Sequence, residues 1–475
     1  MSYIFTFDAS ACSGCKACQV ACKDKNQLPA GVFWRRVFEV SGGDWTQVGD
    51  SWSTSVFAYN FSMACNHCVH PKCAGVCPTN AYHVRDDGIV LLDSTRCAGC
   101  GYCNWACPYA VPQYNRLAGH MSKCNFCMDR IDAGESPACV AACPMRVLEF
   151  KKSDELVQVS NTMQLWVTTG SEHPFPLPTY SRTQPHLAVK FHPAMLNNLE
   201  KRVENHEETR PSKSKSELPL VVFTLLGQMA VGMFWATGWI FAPLRRLAPP
   251  NIFFLQLVPI VLAGLCLGSG MLVALVHLGT KRNAIRMLNN LKKSWLSKEI
   301  LYMGLFGSTL LLYLVSGFPI LGWLTSLFGF GLIYSMASVY RLRSMPSWNN
   351  WRTLAEFLLS AMLLGQFVLV PLLSIEASLT GMPFSDVYGW WPGYFCVALL
   401  AGELVLMIQR AEENGVRIHG WRSALILLAM VCAILTPSAP VASQIWLYVL
   451  LFLLLCLEES IGRWLFYREL EHRTL

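Results

Sequence analysis

Hydrophobic and polar positions follow two different rhythms along this chain, and the change comes near residue 217. Before it, apolar runs are short. Residues 3–8, Y-I-F-T-F-D, alternate with a period of two and predict a strand, and residues 53–63 and 88–93 predict two more. Each strand leads into a cysteine-rich run with a few helix-forming residues after it, so strand, run and short helix make an internal repeat. After residue 217 come eight long apolar stretches, near 218–242, 252–278, 299–319, 322–341, 353–375, 389–409, 422–437 and 442–462. Each approaches the twenty or so residues needed to cross a bilayer core of about 30 Å, with the seventh the shortest. An even number of crossings puts both ends of this half on one side.

Sixteen of the twenty cysteines lie between Cys12 and Cys143, in four groups of four. Cys12, Cys15, Cys18 and Cys22 have C-x2-C-x2-C-x3-C spacing, and Cys97, Cys100, Cys103 and Cys107 repeat it. In Cys65, Cys68, Cys73 and Cys77 the middle gap grows to four residues, and in Cys124, Cys127, Cys139 and Cys143 to eleven. Three closely spaced thiolates grip three irons of a cubane, but the same loop does not reach the fourth iron. The last cysteine of a run therefore crosses to a neighbouring cluster, and runs come in pairs. Pro78, Pro108 and Pro144 follow the last cysteine of three groups and fix φ where the chain leaves the ligand, whereas the first group has Lys23 there. Zinc sites use two cysteine pairs and leave the further cysteines at x2 and x3 unexplained. Disulfides are not expected, because Met1-Ser2-Tyr3-Ile4 opens no basic-then-apolar leader and a reducing compartment keeps thiols free. Cys266, Cys396, Cys432 and Cys456 stand singly in apolar runs and read as small buried hydrophobes. The fold class expected is an α+β ferredoxin-like double module, two dicluster units, followed by an all-α bundle of eight transmembrane helices.

At 475 residues the chain exceeds one compact core, and its net charge of +7 without a basic stripe gives no case for nucleic acid. Residues 1–216 carry 21 Lys+Arg and 19 Asp+Glu; residues 217–475 carry 17 and 12 and are mostly apolar. The organisation read from this is an iron-sulfur domain at 1–195, a charged linker at 196–216 and a membrane anchor at 217–475. Residues 23–60 insert between the first two runs, and the proline-rich 160–195 reads as an extended strap. In the membrane half, fifteen Lys and Arg residues fall on the side of the termini and only Arg245 and Arg246 fall opposite. That bias places the iron-sulfur domain on the cytoplasmic side of a bacterial inner membrane.

Ionisable groups near that face are candidates for a quinol site. His277 closes the second span, Glu299 opens the third, and Tyr340 and Arg341 close the fourth. A proton-carrying group at membrane depth is costly enough to imply a role, against the alternative of capping a helix or reaching the interface. Glu356, Glu403 and Glu459 read as helix-end partners of nearby arginines. A bilayer haem commonly takes two histidines, and this half has only His277, His419 and His472, so no haem is expected.

These residues carry a resemblance. Residues 1 to about 200 look like the iron-sulfur subunit of dimethyl sulfoxide reductase, through C-S-G-C-K-A-C-Q-V-A-C-K-D, the G-G-D-W at 42–45, C-N-H-C-x4-C-x3-C-P, C-A-G-C-G-Y-C-N-W-A-C-P-Y and G-H-M-S-K-C-N-F-C. Residues 217–475 are similar to that enzyme's membrane-anchor subunit, through E-L-P-L-V-V-F-T-L-L-G-Q, H-L-G-T at 277–280 and E-S-I-G-R at 459–463. The chain thus resembles two proteins joined end to end. The resemblance implies a nested pairing, with Cys12, Cys15, Cys18 and Cys143 on one cluster and Cys22, Cys124, Cys127 and Cys139 on the second. It puts Cys65, Cys68, Cys73 and Cys107 on the third and Cys77, Cys97, Cys100 and Cys103 on the fourth. Some relatives replace the second cysteine of the third group and hold a three-iron centre; Cys100 is present, so four [4Fe-4S] clusters are expected. The resemblance also implies menaquinol as donor, drawn from the menaquinone pool at His277 and Glu299, and a molybdopterin catalytic subunit as partner. No residue of this chain is expected to make or break substrate bonds. The charge bias departs from the best-known relatives, whose clusters face the periplasm. Two other readings are reverse flow, from an oxidising molybdoenzyme into quinone, and a conformationally coupled ion pump, which wants buried carboxylates or histidines across the bilayer.

Overall fold

The computed structural model describes residues 2–152, 178, 182–196, 201–204, 217–237, 253–380, 391–414 and 420–468. They fall into two units. One comprises the chain to Ser216 together with Leu278–Ser294, and the other comprises Glu217–His277 and Trp295–His472. The segment 278–294 lies between two spans in sequence, so apolar patterning alone leaves it inside the membrane half. Its polar groups bond instead to loops of the cysteine-rich unit, as set out below.

In the first unit the chain forms β1 (Tyr3–Asp8), α1 (Ala17–Lys25), β2 (Arg36–Gly42), β3 (Trp45–Val48), β4 (Ser51–Thr54) and β5 (Phe57–Met63). It continues with α2 (Lys72–Val76), β6 (Tyr82–Val84), β7 (Val90–Leu92), α3 (Tyr102–Ala106), β8 (Gln113–Asn115) and β9 (His120–Ser122). Then follow α4 (Met128–Asp132), α5 (Ala138–Ala141), β10 (Leu148–Lys152), β11 (Leu187–Lys190) and β12 (Lys201–Glu204). β1 is the middle strand of a three-stranded sheet, antiparallel to β10 and parallel to β11. Its alternating sequence predicts one wet face, yet Ile4, Phe5, Thr6 and Phe7 are all buried, because protein covers both faces and both edges. Phe5 stacks on Phe126 at 4.1 Å and Phe7 meets Phe61 edge-on at 5.3 Å, so the first strand nucleates one core with the fourth cysteine run and with β5.

Two stretches differ from expectation. The strand expected over 53–63 divides into the outer arm of an exposed β3–β4 hairpin and β5, which pairs with β2 from Arg36↔Met63 to Gly42↔Phe57. Within the charged stretch 196–216, expected as a linker, Lys201–Glu204 adds an antiparallel strand to the other edge of β2. A row of unpaired backbone groups on β2 suffices to recruit it, and charged composition carries no sign of that. Of the expected strap, β11 is seen pairing with β1; residues 160–177 lie outside the described residues.

The second unit contains, among the described residues, eight helices long and apolar enough to cross a membrane. They are Leu218–Trp235, Phe253–His277, Trp295–Ser316, Pro319–Tyr340, Trp351–Thr380, Trp391–Asn414, Gly420–Leu435 and Val441–Arg468, called here the first to eighth spans. Leu272, Val276, Leu311, Leu312, Val315, Leu327, Val431 and Leu453 are exposed, an apolar surface suited to lipid tails and not to water. The first and fifth spans approach at Gly232 and Gly365, where a Cβ added at Gly232 would collide with the Ala361 carbonyl oxygen. Small residues permit that approach, which is how helices associate where no water drives them together.

Candidate iron-sulfur relay and membrane site

Each cysteine run wraps a tight turn, and its geometry recurs. The residue just before the second cysteine has a left-handed backbone in all four runs: Gly14 at φ 71°, His67 at 42°, Gly99 at 68° and Phe126 at 61°. Glycine takes this conformation freely, whereas for an L side chain it costs about 1–2 kcal/mol, so the two bulky residues require compensation. Phe126 has its stack on Phe5. His67 meets Phe126 edge-on at 5.2 Å, and its Nδ1 accepts the Val90 N–H at 3.0 Å. Burial, with Lys123 and His186 nearby, holds that imidazole well below its ordinary range, so it stays neutral.

Folding brings the runs together in sets. Cys12, Cys15, Cys18 and Cys143, with Ser62 and Lys16, line one small cavity. Cys65, Cys68, Cys73 and Cys107, with Lys123 and Thr183, line another. Cys22 has the sulfurs of Cys139 and Cys127 as neighbours, and Cys124 has those of Cys22 and Cys139. Cys103 has Cys100, Cys97 and Cys77. Links run between sets as well. Cys18 neighbours Cys139, Cys124 neighbours Cys65, and the half-buried Tyr82 is within electrostatic reach of both Cys103 and Cys73. The sixteen thiols therefore form a row with adjacent sets in electrostatic reach.

The donor chemistry fits cubane clusters. Both cavities are walled by sulfur, with no carboxylate in either lining. Burial, reinforced by neighbouring thiolates, pushes Cys22 up to about 12 and holds Cys73, Cys103 and Cys124 well above the ordinary 9.0. Such thiols ionise when a metal replaces the proton, so loading and proton release are coupled. Cationic and amide groups stand ready for the resulting charge. Arg35 is buried; desolvation opposes its charge, but the sulfurs of Cys139, Cys18, Cys124 and Cys22, anionic once loaded, outweigh it and hold the guanidinium above its ordinary range. Its Nη1 donates to Ser62 Oγ at 3.1 Å, and that hydroxyl lies 3.5 Å from Cys18 Sγ. Backbone N–H groups donate to sulfur at Cys77, Cys97 and Cys124, from Ala81, Gly99 and Phe126.

In the membrane unit His277 is the last residue of the second span and Glu299 lies in the first turns of the third; both are buried. Tyr340, buried at the end of the fourth span, shares a hydrogen bond with Tyr467 of the eighth, and Glu299 lies within electrostatic reach of that pair. Trp348, Phe357 and Phe466 pack around it, with Trp348 stacked on Phe466 at 4.5 Å. Arg341 is exposed just beyond.

Glu356, expected to partner an arginine, does so, within a polar network in the same unit that is larger than the sequence reading anticipates. Glu356 pairs with Arg410 at 3.3 Å and Glu458 with Arg422 at 2.6 Å. Arg463 Nη2 bonds Gln228 Oε1 at 3.1 Å and Ser360 Oγ at 3.3 Å, and Ser360 Oγ lies 2.8 Å from Glu459 Oε2. Carboxyl oxygens of Glu403, Glu458 and Glu459 come within 4.8 Å of one another. The members come from the first, fifth, sixth, seventh and eighth spans. The E-S-I-G-R motif, holding Glu459 and Arg463 four residues apart on one helix face, marks part of it, whereas Gln228 and Ser360 carry no such mark.

Comparison with known proteins agrees with this division. Residues 56–153 match the family described as 4Fe-4S dicluster domain, and residues 212–468 the DMSO reductase anchor subunit family. The B component of the anaerobic dimethyl sulfoxide reductase of Escherichia coli is 44% identical over 188 residues, 40% of this chain and 88% of the relative. Its counterpart of the same name in Haemophilus influenzae is 45% identical over 189 residues, again 40% and 88%. The thiosulfate reductase electron transfer subunit of Salmonella typhi is 40% identical over 167 residues, 35% of this chain and 81% of the relative. With cysteine sets in the first unit and spans in the second, the protein belongs to the dimethyl sulfoxide reductase family and joins its iron-sulfur subunit and its membrane-anchor subunit in one polypeptide.

Proposed function

We propose that this chain takes electrons from menaquinol in the membrane and passes them singly through four [4Fe-4S] clusters to a separate molybdopterin catalytic subunit. That partner would reduce an S-oxide, N-oxide or related acceptor, as the names of the similar dimethyl sulfoxide and thiosulfate reductase subunits indicate for those proteins. The single observation that carries the reading is the row of sixteen cysteines in linked sets on a chain that also has eight membrane-spanning helices. The ligand assignment is Cys12, Cys15, Cys18 and Cys143; Cys22, Cys124, Cys127 and Cys139; Cys65, Cys68, Cys73 and Cys107; and Cys77, Cys97, Cys100 and Cys103. The thiols lining the two cavities support the first and third sets, and the thiolate neighbours of Cys22, Cys124 and Cys103 support the others.

Oxidation of a quinol releases two electrons and two protons. His277 and Glu299 are buried groups able to accept those protons, Tyr340 supplies a hydroxyl, and Arg341 stands at the exposed rim. The clusters, when bound, supply one-electron steps; Arg35, Ser62 and the backbone N–H donors favour the reduced, more negative form. The charge bias of the connecting loops supports clusters on the cytoplasmic side of the bacterial inner membrane. Anaerobically purified protein should yield ~16 iron and ~16 acid-labile sulfide per chain, the content of four cubanes. A yield near zero of both overturns the reading, and half that yield removes two of the four sets.

A further inference from the structure

The segment Leu278–Ser294, which joins the second and third spans in sequence, belongs to the cysteine-rich unit, and its bonds there follow a pattern. Asn283 Nδ2 donates to the carbonyl oxygen of Cys97 at 3.0 Å and to that of Thr95, two residues earlier, at 2.9 Å. Asn290 Nδ2 donates to the carbonyl oxygen of Cys77 at 2.9 Å and to that of Gly75, again two residues earlier, at 3.2 Å. Both asparagines are buried. Two side chains seven residues apart thus make the same paired contact with two cysteine loops that come from different runs.

The rest of the segment locks this grip in place. Thr280 N donates to Ala98 O at 3.1 Å and Thr280 Oγ1 to Gly119 O at 3.2 Å. Ser294 Oγ donates to Val76 O at 2.8 Å, and Asn80 returns a bond to Asn289 O at 3.1 Å. Gly279 lies so close to Gly119 that an added Cβ would collide with the Gly119 carbonyl oxygen, and one added at Gly99 would meet the same oxygen at 2.5 Å. Three glycines meet where the segment enters, and any side chain there would push it off the third cysteine run.

We propose that this segment is a positioning staple for the Cys77, Cys97, Cys100 and Cys103 ligand set, with Asn283 and Asn290 as its two prongs; this rests on that set holding a cluster. Cys77 ends one run and Cys97 begins the next, so the set is complete only when the two loops are held in register. The carbonyl groups of those two ligands are what the prongs hold. Each amide fixes a peptide plane and with it the direction of the attached thiolate, the role that outer-shell donors play at metal sites. In sequence the staple runs between His277 and Trp295, the ends of two spans, yet these contacts are all within the cysteine-rich unit. Asn283 and Asn290 are positioning residues, since they act through the cysteines.

The test uses the full-length chain in membranes with Cys100→Ser as reporter. Losing one thiolate leaves one iron of that set without a ligand, and the resulting three-iron centre has its own electron paramagnetic resonance signal in the oxidised state. Adding Asn283→Asp and Asn290→Asp, which keep size but remove the donors, should shift that signal's midpoint potential and line shape. It should also raise loss of that signal to a chelator by about tenfold, the usual cost of removing an outer-shell partner. Signals from the other sets should stay unchanged. A three-iron signal with unaltered potential, line shape and chelator sensitivity in the double variant overturns the staple while leaving the cluster assignment intact. No three-iron signal in Cys100→Ser alone overturns the assignment of that set, and the staple with it. If the double variant does not accumulate, Asn283→Asp and Asn290→Asp are read singly, and an unshifted potential in both overturns the proposal.

Discussion

The two halves of this chain both bury charge, and they do it in opposite ways. In the cysteine-rich unit the buried cation Arg35 faces thiols that become anions only on loading, and much of the surrounding polar support comes from backbone N–H groups and from asparagine amides gripping carbonyls. In the membrane unit the acids are side chains of the fold itself: Glu356 pairs with Arg410 and Glu458 with Arg422, and Glu459 reaches Arg463 through Ser360, across four helices. The first arrangement prepares for a charge that arrives with a cofactor. The second neutralises charge already present, in surroundings where an unmatched ion costs far more.

Removing the compensating cation from each half puts this contrast under the greatest strain. Arg463→Met leaves Glu459, Ser360 and Gln228 without their guanidinium and should destabilise the membrane unit by about 3–5 kcal/mol, read as thermal unfolding in detergent. The iron-sulfur signals should persist; their loss at equal stability would contradict the division. Arg35→Met should act instead on electron affinity. Loss of a charge-assisted donor worth ~1.5–3 kcal/mol should lower the reduction potential of the centres at Cys18, Cys22 and Cys139, seen in a redox titration followed by electron paramagnetic resonance. An unchanged potential would mean the cation is structural only.

Smaller effects separate packing from charge. Gly365→Ala places a methyl against the backbone of Gly232 and should cost about 1–3 kcal/mol through overpacking, with the same detergent melt as the readout. At the small end stands Asp8, which pairs with Lys190 at 2.8 Å and ties β1 to β11. Burial alone would raise its carboxyl, but Lys190 and Ser10 outweigh burial and hold it below the ordinary 3.8. A lowered carboxyl gives stability that is present above 3.8 and lost as pH falls through the lowered value. Asp8→Asn should therefore cost under about 1 kcal/mol at neutral pH and flatten the acid limb of the denaturation profile; an unchanged acid limb would remove the pair from the account.

What could be read from the sequence follows the range of each interaction. The cysteine runs announce themselves because a cubane loop is local, with three ligands in seven residues in two of the four runs, and the spans because each must be apolar throughout. Interactions between distant residues were hidden. Nothing at Lys201–Glu204 marks a strand, since pairing comes from the β2 edge. Asn283 and Asn290 look like ordinary loop residues, since their partners are backbone oxygens about 190–215 residues away. Gln228 and Ser360 look like isolated polar residues in apolar runs until Arg463 reaches both. His67 and Phe126 are the reverse case, where the sequence shows bulky residues at positions that the repeated turn would fill with glycine.

The whole functional reading depends on electrons entering the cysteine row from a membrane quinol. Anaerobic membranes containing the full-length chain are mixed with a reduced menaquinol analogue, and the iron-sulfur signal is followed by electron paramagnetic resonance. Reduction is expected in the native protein, and in His277→Ala and Glu299→Gln a rate at least about tenfold lower, with dithionite still reducing every centre. Reduction at the native rate in both variants, or no reduction by quinol in the native protein, would contradict it.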